Sequence, residues 1–226
     1  MSVCVCAFAL GVQNARECVC VCLCRLEGTA AARGHLDVVF VHKHVTSGTD
    51  RRIVVDKLLA FAVKTGPDLD ARREDTLGRC LDEEGRYDEA LQCYGRSLAM
   101  YKALRGDGDP AVATTLVNMG SVAHAQGNYP SALNYMEQAL QIQRAALGPD
   151  HPAVAATHNN MGLVCKAQGR LDEALRAYAE SMRIKEAAAL GDHPDSAATL
   201  NNIGQVLDAQ GNYPGALDKY AEALRI

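Results

Sequence analysis

Cysteine is the most reactive side chain in this sequence, and it is concentrated near the first residue. Six of the nine cysteines lie within the first 24 residues, in the runs Val3-Cys4-Val5-Cys6 and Cys18-Val19-Cys20-Val21-Cys22-Leu23-Cys24. Clustered thiolates could hold Zn²⁺ or Cu⁺, but structural zinc sites prefer two or more intervening residues and a fold around them. Two alternatives stay open: a strand with one cysteine face and one valine face, or an unstructured tract encoded by a dinucleotide repeat. We favour the last.

Histidines are the other candidate metal ligands. His42-Lys43-His44 has no carboxylate cluster beside it, which is typical of a polar loop. Three later histidines fall within a 42-residue repeat: His151 and His193 at equivalent turn positions, and His158 where two other copies carry Leu116 and Leu200. We therefore predict no metal site and no cofactor.

No catalytic motif is present. The sequence contains no phosphate-binding loop, nucleophile elbow or paired His/Glu zinc motif. The glycine-rich stretch Arg105–Asp109 lies where other copies of the repeat carry a Gly-Pro-Asp-His turn. We expect neither catalytic residues nor enzyme activity.

The charge distribution excludes a polyanion as the partner. Residues 66–226 carry 15 basic and 22 acidic side chains, a net charge of −7, whereas residues 1–65 carry 8 and 5, a net charge of +3. An acidic array is a poor ligand for nucleic acid. No stretch reaches the roughly 20 apolar residues that span a bilayer, and no basic residue precedes the short apolar stretch 3–12. With only three scattered cysteines in the array, we expect a reducing, cytoplasmic location.

A 42-residue period organises residues 66–226. It is marked by a glycine, an alanine, a leucine and a Leu/Met/Ile-Gly pair in each copy: Gly85, Gly127, Gly169 and Gly211; Ala90, Ala132, Ala174 and Ala216; Leu91, Leu133, Leu175 and Leu217; Leu77-Gly78, Met119-Gly120, Met161-Gly162 and Ile203-Gly204. A fixed period of this size predicts a solenoid, in which each unit buries its apolar face against its neighbours. The copies span 68–109, 110–151, 152–193 and a shorter 194–226.

Each copy has the pattern of two antiparallel helices of about 15 residues. In the second copy, Asp109 caps a helix that starts at Pro110 and ends before Gly127. Asn128 then caps a second helix that ends at Leu147. Small residues such as Gly120 and Ala132 mark the closest approach of the two helices, and a large column is expected to fill the space between copies: Tyr94, Met136, Tyr178 and Tyr220. Residues 1–65 are expected to be irregular, with one short strand within 35–45 and one helix over 50–64.

The repeated residues of 66–226 resemble the tetratricopeptide repeat. The 42-residue period narrows the resemblance to the repeats of kinesin light chains. The matching strings are Leu147-Gly148-Pro149-Asp150-His151-Pro152, Ala156-Thr157-His158-Asn159-Asn160-Met161-Gly162 and Ala167-Gln168-Gly169-Arg170-Leu171-Asp172-Glu173-Ala174-Leu175. The resemblance implies an all-α, right-handed superhelix whose first helices line a concave groove for peptide segments of other proteins. Residues 1–65 lack the heptads with which kinesin light chains bind the motor chain.

By that resemblance, the groove would contain Arg79, Asn118, Ser121, Asn159, Asn160, Lys166, Asn201, Asn202 and Gln205. The asparagine column at 118, 160 and 202 is notable because asparagine is a poor helix former. A carboxamide both donates and accepts, so this column could grip a peptide backbone. Alternatively, each asparagine bonds to the neighbouring hairpin and fixes repeat stacking. The mixed groove charges do not form the dense cationic clamp with which some relatives hold a C-terminal carboxylate.

We therefore expect a protein–protein interaction scaffold. Two alternatives remain. The array could assemble with itself through its last repeat, which has no polar capping helix after it in this sequence. The chain could also be a fragment of a larger motor adaptor or signalling protein.

Overall fold

A computed structural model describes residues 66–188 and 193–226 fully, and the backbone of residues 3–7, 21–25 and 36–41. The chain divides into two units, 1–62 and 63–226. The described part of the second unit contains eight helices: α1 Pro67–Glu83, α2 Tyr87–Arg105, α3 Pro110–Ala125, α4 Tyr129–Leu147, α5 Pro152–Ala167, α6 Leu171–Ala187, α7 Pro194–Ala209 and α8 Tyr213–Ala223. They form four consecutive antiparallel hairpins, as the 42-residue period predicts, and the all-α solenoid expected from the sequence is confirmed.

The described residues of the first unit form three short strands: β1 Val3–Ala7, β2 Val21–Arg25 and β3 Leu36–Val41. They pair antiparallel in the order β1-β2-β3, with an irregularity in register between Val21 and Leu23. Valine-rich segments favour extended backbone, so for these residues the strand alternative describes the backbone better than the favoured unstructured tract. The strand expected within 35–45 corresponds to β3, whereas the helix expected over 50–64 and the His42-Lys43-His44 stretch lie outside the described residues.

Each hairpin turn is closed by a glycine. After α3, the Gly127 N–H donates to the carbonyl of His124 and the Asn128 N–H donates to the carbonyl of Ala123. These two bonds define a Schellman motif, which requires a left-handed residue at the glycine. Gly127 has φ +75°, and the equivalent glycine of every other hairpin is also left-handed. The glycine column is therefore a consequence of the turn geometry.

The first helices of the second, third and fourth hairpins start on capped N-termini. The Asp109 carboxylate accepts a hydrogen bond from the Ala111 N–H at 2.8 Å. His151 takes the same role for α5, where its Nδ1 accepts from the Ala153 N–H at 3.1 Å, and His193 does so for α7. The two histidines lie in inter-repeat turns as predicted, and each caps the helix that follows it.

The two helices of a hairpin touch at the second glycine column. In the third hairpin, the fully buried Tyr178 ring covers Gly162, and a Cβ at that glycine would lie 2.5 Å from the ring. Tyr178 also packs with Val206 of the next hairpin. The large column therefore fills space within each hairpin as well as between copies, which extends the prediction.

Successive hairpins pack through the second helix of one and the first helix of the next. The first helices also contact one another directly (α1 with α3, α3 with α5, α5 with α7), so they form one continuous layer. Buried polar contacts lie at two of the interfaces. At one interface, Thr157 donates to Gln143 Oε1 at 2.9 Å. At the next, Lys185 takes the position of Gln143, and its ammonium donates to Thr199 Oγ1 at 2.6 Å and to the Asp195 carbonyl at 2.7 Å. Burial lowers the pKa of Lys185.

Candidate functional site

All of the side chains predicted to line the groove lie on the first-helix layer. α1 carries Arg79, and α3 carries Asn118 and Ser121. α5 carries Asn159, Asn160 and Lys166, and α7 carries Asn201, Asn202 and Gln205. Of these nine residues, Arg79, Asn201 and Gln205 are exposed and the others are half-buried. The layer therefore presents a polar surface that crosses all four hairpins.

The asparagine column does not behave uniformly. Asn118 Nδ2 donates to Asp75 Oδ1 of the preceding hairpin at 3.4 Å, and Asn202 Nδ2 donates to Asn159 Oδ1 at 3.3 Å. Across the residues that the structure describes, the Asn160 side chain makes no hydrogen bond. Two of the three asparagines thus make the inter-hairpin contact of the stacking alternative, and one leaves its amide uncommitted.

Threonines reinforce the two asparagine contacts. Thr115 Oγ1 donates to Asp75 Oδ1 at 3.3 Å, and Thr199 Oγ1 donates to Asn159 Oδ1 at 3.2 Å. Each acceptor oxygen therefore receives two donors from the next first helix. Nothing in the sequence singled out these threonines, although together with Thr157 they form a column at 42-residue spacing, a signal that would have found them.

The electrostatics of the layer vary along its length. Burial raises the pKa of Asp75, although Asn118, Thr115 and Arg79 oppose that effect. Arg79 has no ion pair within residues 66–188 and 193–226. Near the middle, burial lowers the pKa of His124, and the charge of Lys166 acts in the same direction. The first-helix layer therefore carries individual charges of both signs rather than a cationic cluster.

Lys166 is held by the neighbouring hairpin. Its ammonium donates to Gln205 Oε1 at 2.7 Å, which ties α5 to α7. Ser121 donates to the carbonyl of Val117 on its own helix at 3.2 Å. Among the predicted groove residues, the side chains of Arg79, Asn160 and Asn201 therefore remain without a hydrogen bond to the rest of the described chain.

His158, aligned with leucine in other copies, is half-buried between the second and third hairpins. Its Nε2 lies 2.9 Å from an Arg144 nitrogen, so the imidazole accepts that hydrogen bond in its neutral form. Burial is the main cause of its lowered pKa. The side chain therefore links the second helix of one hairpin to the first helix of the next. No group of three His, Cys, Asp or Glu side chains in the fully described ranges is placed to hold a metal ion.

Protein-family models match most of residues 66–226. Models described as tetratricopeptide repeat match residues 71–145, 111–187 and 196–226, more than half of the chain. The chain belongs to the tetratricopeptide repeat family. This confirms the resemblance drawn from the sequence, and proteins of this family typically serve as non-enzymatic scaffolds for protein interactions.

Solved tetratricopeptide repeat structures share the fold. BtubC (BKLC) from P. vanneervenii is 23% identical, with a TM-score of 0.65, covering 78% of this chain and 70% of that one. A putative kinesin light chain with nearly identical TPR-like repeats from Podosopora anserina is 18% identical, with a TM-score of 0.59 and coverage of 77% and 82%. MamA is 17% identical, with a TM-score of 0.55 and coverage of 78% and 88%. At these identities the likeness concerns the fold. No curated protein matches the sequence.

A helix that crosses a lipid bilayer needs about 20 predominantly apolar residues. Among the helices in the described ranges, none combines the length and apolar character needed to cross a membrane.

Proposed function

We propose that this tetratricopeptide repeat array binds extended peptide segments of partner proteins along its first-helix layer. The supporting observation is that this layer is continuous and polar, and that some of its side-chain donors and acceptors have no hydrogen-bond partner within the described chain. Asn160, Asn201 and Arg79 keep donors or acceptors uncommitted within the described chain, all on the first helices. A peptide backbone offers one donor and one acceptor per residue, which complements carboxamides better than it complements ions.

The expected ligand has mixed character. The groove has carboxylates near both ends, from Asp75 and Asp82 on α1 and Asp208 on α7, and cations in Arg79 and Lys166. A C-terminal carboxylate would need several free cations in one place. An internal segment of a partner, read through its backbone, fits this distribution better.

The same features define what the proposal excludes. A protein-binding scaffold needs no catalytic residue, metal or cofactor, and a net charge of −7 over residues 66–226 opposes nucleic acid as a partner. Three widely spaced cysteines in the array, two of them buried, suit a reducing compartment, so we place the protein in the cytoplasm.

Photo-crosslinking from two matched positions tests the proposal. A photoreactive amino acid replaces Gln205, exposed on α7, or Gln141, exposed on α4. In lysate of the source cells, the full chain should crosslink a discrete set of proteins from position 205 and not from position 141. Equal crosslinking from both positions, or crosslinking from 141 alone, would place binding outside the groove and overturn the proposal.

Self-association is a second candidate, favoured by one observation. On α8 and just after it, Tyr213, Leu217 and Leu224 are 63%, 67% and 88% exposed. The residues equivalent to Leu217 in the other hairpins, such as Leu175, are half-buried, and Leu175 packs against the core shared with the following hairpin. Light scattering across concentrations should then show an oligomer that Leu217→Asp dissociates. A monomer at every concentration removes this candidate.

A further inference from the structure

The hydrogen-bond ladder of the first-helix layer is interrupted at one step. Asn118 reaches Asp75 and Asn202 reaches Asn159, in each case 43 residues back along the chain. The same step from Asn160 leads to Val117, whose side chain cannot accept a hydrogen bond. Asn160 is half-buried and is not among the residues whose buried polar atoms lack a partner, so its amide is open to solvent.

A second apolar side chain lies next to this interruption. Leu163 is three residues after Asn160, which places both on the same face of α5. Positions equivalent to Val117 and Leu163 on the other first helices are all polar: Asp75, Asn159 and Asn201 in one column, and Arg79, Ser121 and Gln205 in the other. The two aliphatic exceptions therefore flank the asparagine that the ladder leaves uncommitted. We call Val117, Asn160 and Leu163 the central patch.

The aliphatic side chains of the central patch are neither fully buried nor free. Val117 packs against the core formed by α1 to α4, and Leu163 packs against the core of the third and fourth hairpins. Both remain half-buried, so part of each side chain stays accessible. Contact with an apolar ligand atom would remove that remaining surface from water, worth about 25 cal/mol per Å².

The surroundings of the central patch carry little uncompensated charge. The Lys166 ammonium donates a hydrogen bond to Gln205. Burial lowers the pKa of His124, and the charge of Lys166 lowers it further, so protonation of His124 is disfavoured. The groove carboxylates belong to α1 and α7, at the two ends of the layer. An uncharged segment is therefore the best electrostatic complement to the middle of the groove.

We propose that the central patch is the specificity site of the groove, and that it takes an aliphatic side chain of an extended partner segment. Asn160 bonds the partner backbone beside that side chain, while Asn118 and Asn202 hold adjacent hairpins together. This inference rests on the proposed function. It differs from a uniform asparagine ladder because only one of the three asparagines contacts the ligand.

Selection of random 12-residue peptides displayed on phage against the full chain supplies the probe. The selected sequences should share one aliphatic position. The affinity of a fluorescently labelled selected peptide is then measured by anisotropy. Asn160→Ala should weaken binding about fivefold to tenfold, the effect of losing one hydrogen bond of about 1 kcal/mol. Asn118→Ala and Asn202→Ala, the matched controls, should change affinity less than about twofold and lower the urea midpoint instead.

Leu163→Asn gives an independent readout because asparagine is compatible with the layer at several other positions. It should abolish the preference for an aliphatic over a serine residue at the shared peptide position. Circular dichroism establishes that each variant is folded.

The outcomes separate this inference from the proposed function. If Asn118→Ala or Asn202→Ala weakens binding as much as Asn160→Ala, or if selected peptides share no aliphatic position, the central patch is not the specificity site although the groove still binds. If no peptide is enriched, or if no first-helix variant affects binding, both proposals are contradicted.

Discussion

Gly162→Ala tests the packing that holds the first-helix layer on the second helices. A Cβ at position 162 would lie 2.5, 2.7 and 2.8 Å from three carbons of the Tyr178 ring, well inside van der Waals contact. Tyr178 is fully buried, so displacing the ring would disturb the core residues packed around it. Overpacking of this kind costs about 1–3 kcal/mol. We expect that loss in the free energy of unfolding, measured by urea denaturation followed by circular dichroism.

Two variants make the test specific. Gly95 lies within α2, and a Cβ added there would meet no other atom within 4 Å, so Gly95→Ala should stabilise the chain by about 0.5–1 kcal/mol. Tyr178→Met in the Gly162→Ala background should recover part of the loss, because the second hairpin pairs Gly120 with Met136 at looser distances of 3.0 and 3.2 Å. Equal stability of Gly162→Ala and Gly95→Ala would refute the packing argument.

Three further outcomes follow from buried groups. Because folding lowers the pKa of His158, the unfolded state binds a proton more readily, so the free energy of unfolding should fall as pH drops below about 6.5. The urea midpoints at pH values of about 7.5 and 5.5 should therefore differ less in His158→Leu than in the unmodified chain. An unchanged difference would assign the pH effect to other groups. Lys185→Met removes the two hydrogen bonds that the ammonium donates, to Thr199 Oγ1 and to the Asp195 carbonyl, and should cost about 1–3 kcal/mol in urea denaturation. Lys185→Gln, the residue of the preceding repeat, should cost less, and the reverse order would contradict the assigned contact. Site-resolved mass spectrometry should show a maleimide labelling half-buried Cys80 before buried Cys165 in the native chain, and equal rates would indicate that the third hairpin opens readily.

The sequence predicts the hairpins well because their determinants are local and repeated. Prolines in first turns, left-handed glycines at position 127 and its equivalents, and small residues at helix crossings impose the same geometry in successive copies. The bounds of α3 and α4 agree with the sequence prediction to within one residue. Helix length varies more, from 11 residues in α8 to 19 in α2 and α4.

The side-chain detail of the groove is less predictable. Column alignment places Asn118, Asn160 and Asn202 together, but it treats them as equivalent, whereas their partners depend on a residue one hairpin away. An acceptor at Asp75 or Asn159 allows the ladder bond and a valine at 117 does not. The difference becomes visible in the sequence when each asparagine is compared with the residue 43 positions before it.

Buried polar contacts and the first unit show two other limits. The Lys185 contact needs the two interface partners in three dimensions, and its position carries tyrosine or glutamine elsewhere in the array. In the first unit, alternating valine and cysteine is compatible with either a strand or an unstructured tract. The pairing of β1 with β2 joins residues 14 to 22 positions apart, which no local pattern specifies.

The central claim, that the first-helix layer is the binding surface, is tested most directly by amide chemical-shift mapping. An isotope-labelled full chain is titrated with the tightest phage-selected peptide, and shifts are assigned to individual helices. We predict that the perturbed amides cluster in α3 and α5, with smaller changes in α1 and α7 and little change on the outer faces of α2, α4 and α6. Perturbations confined to the second helices or to α8 would contradict the account.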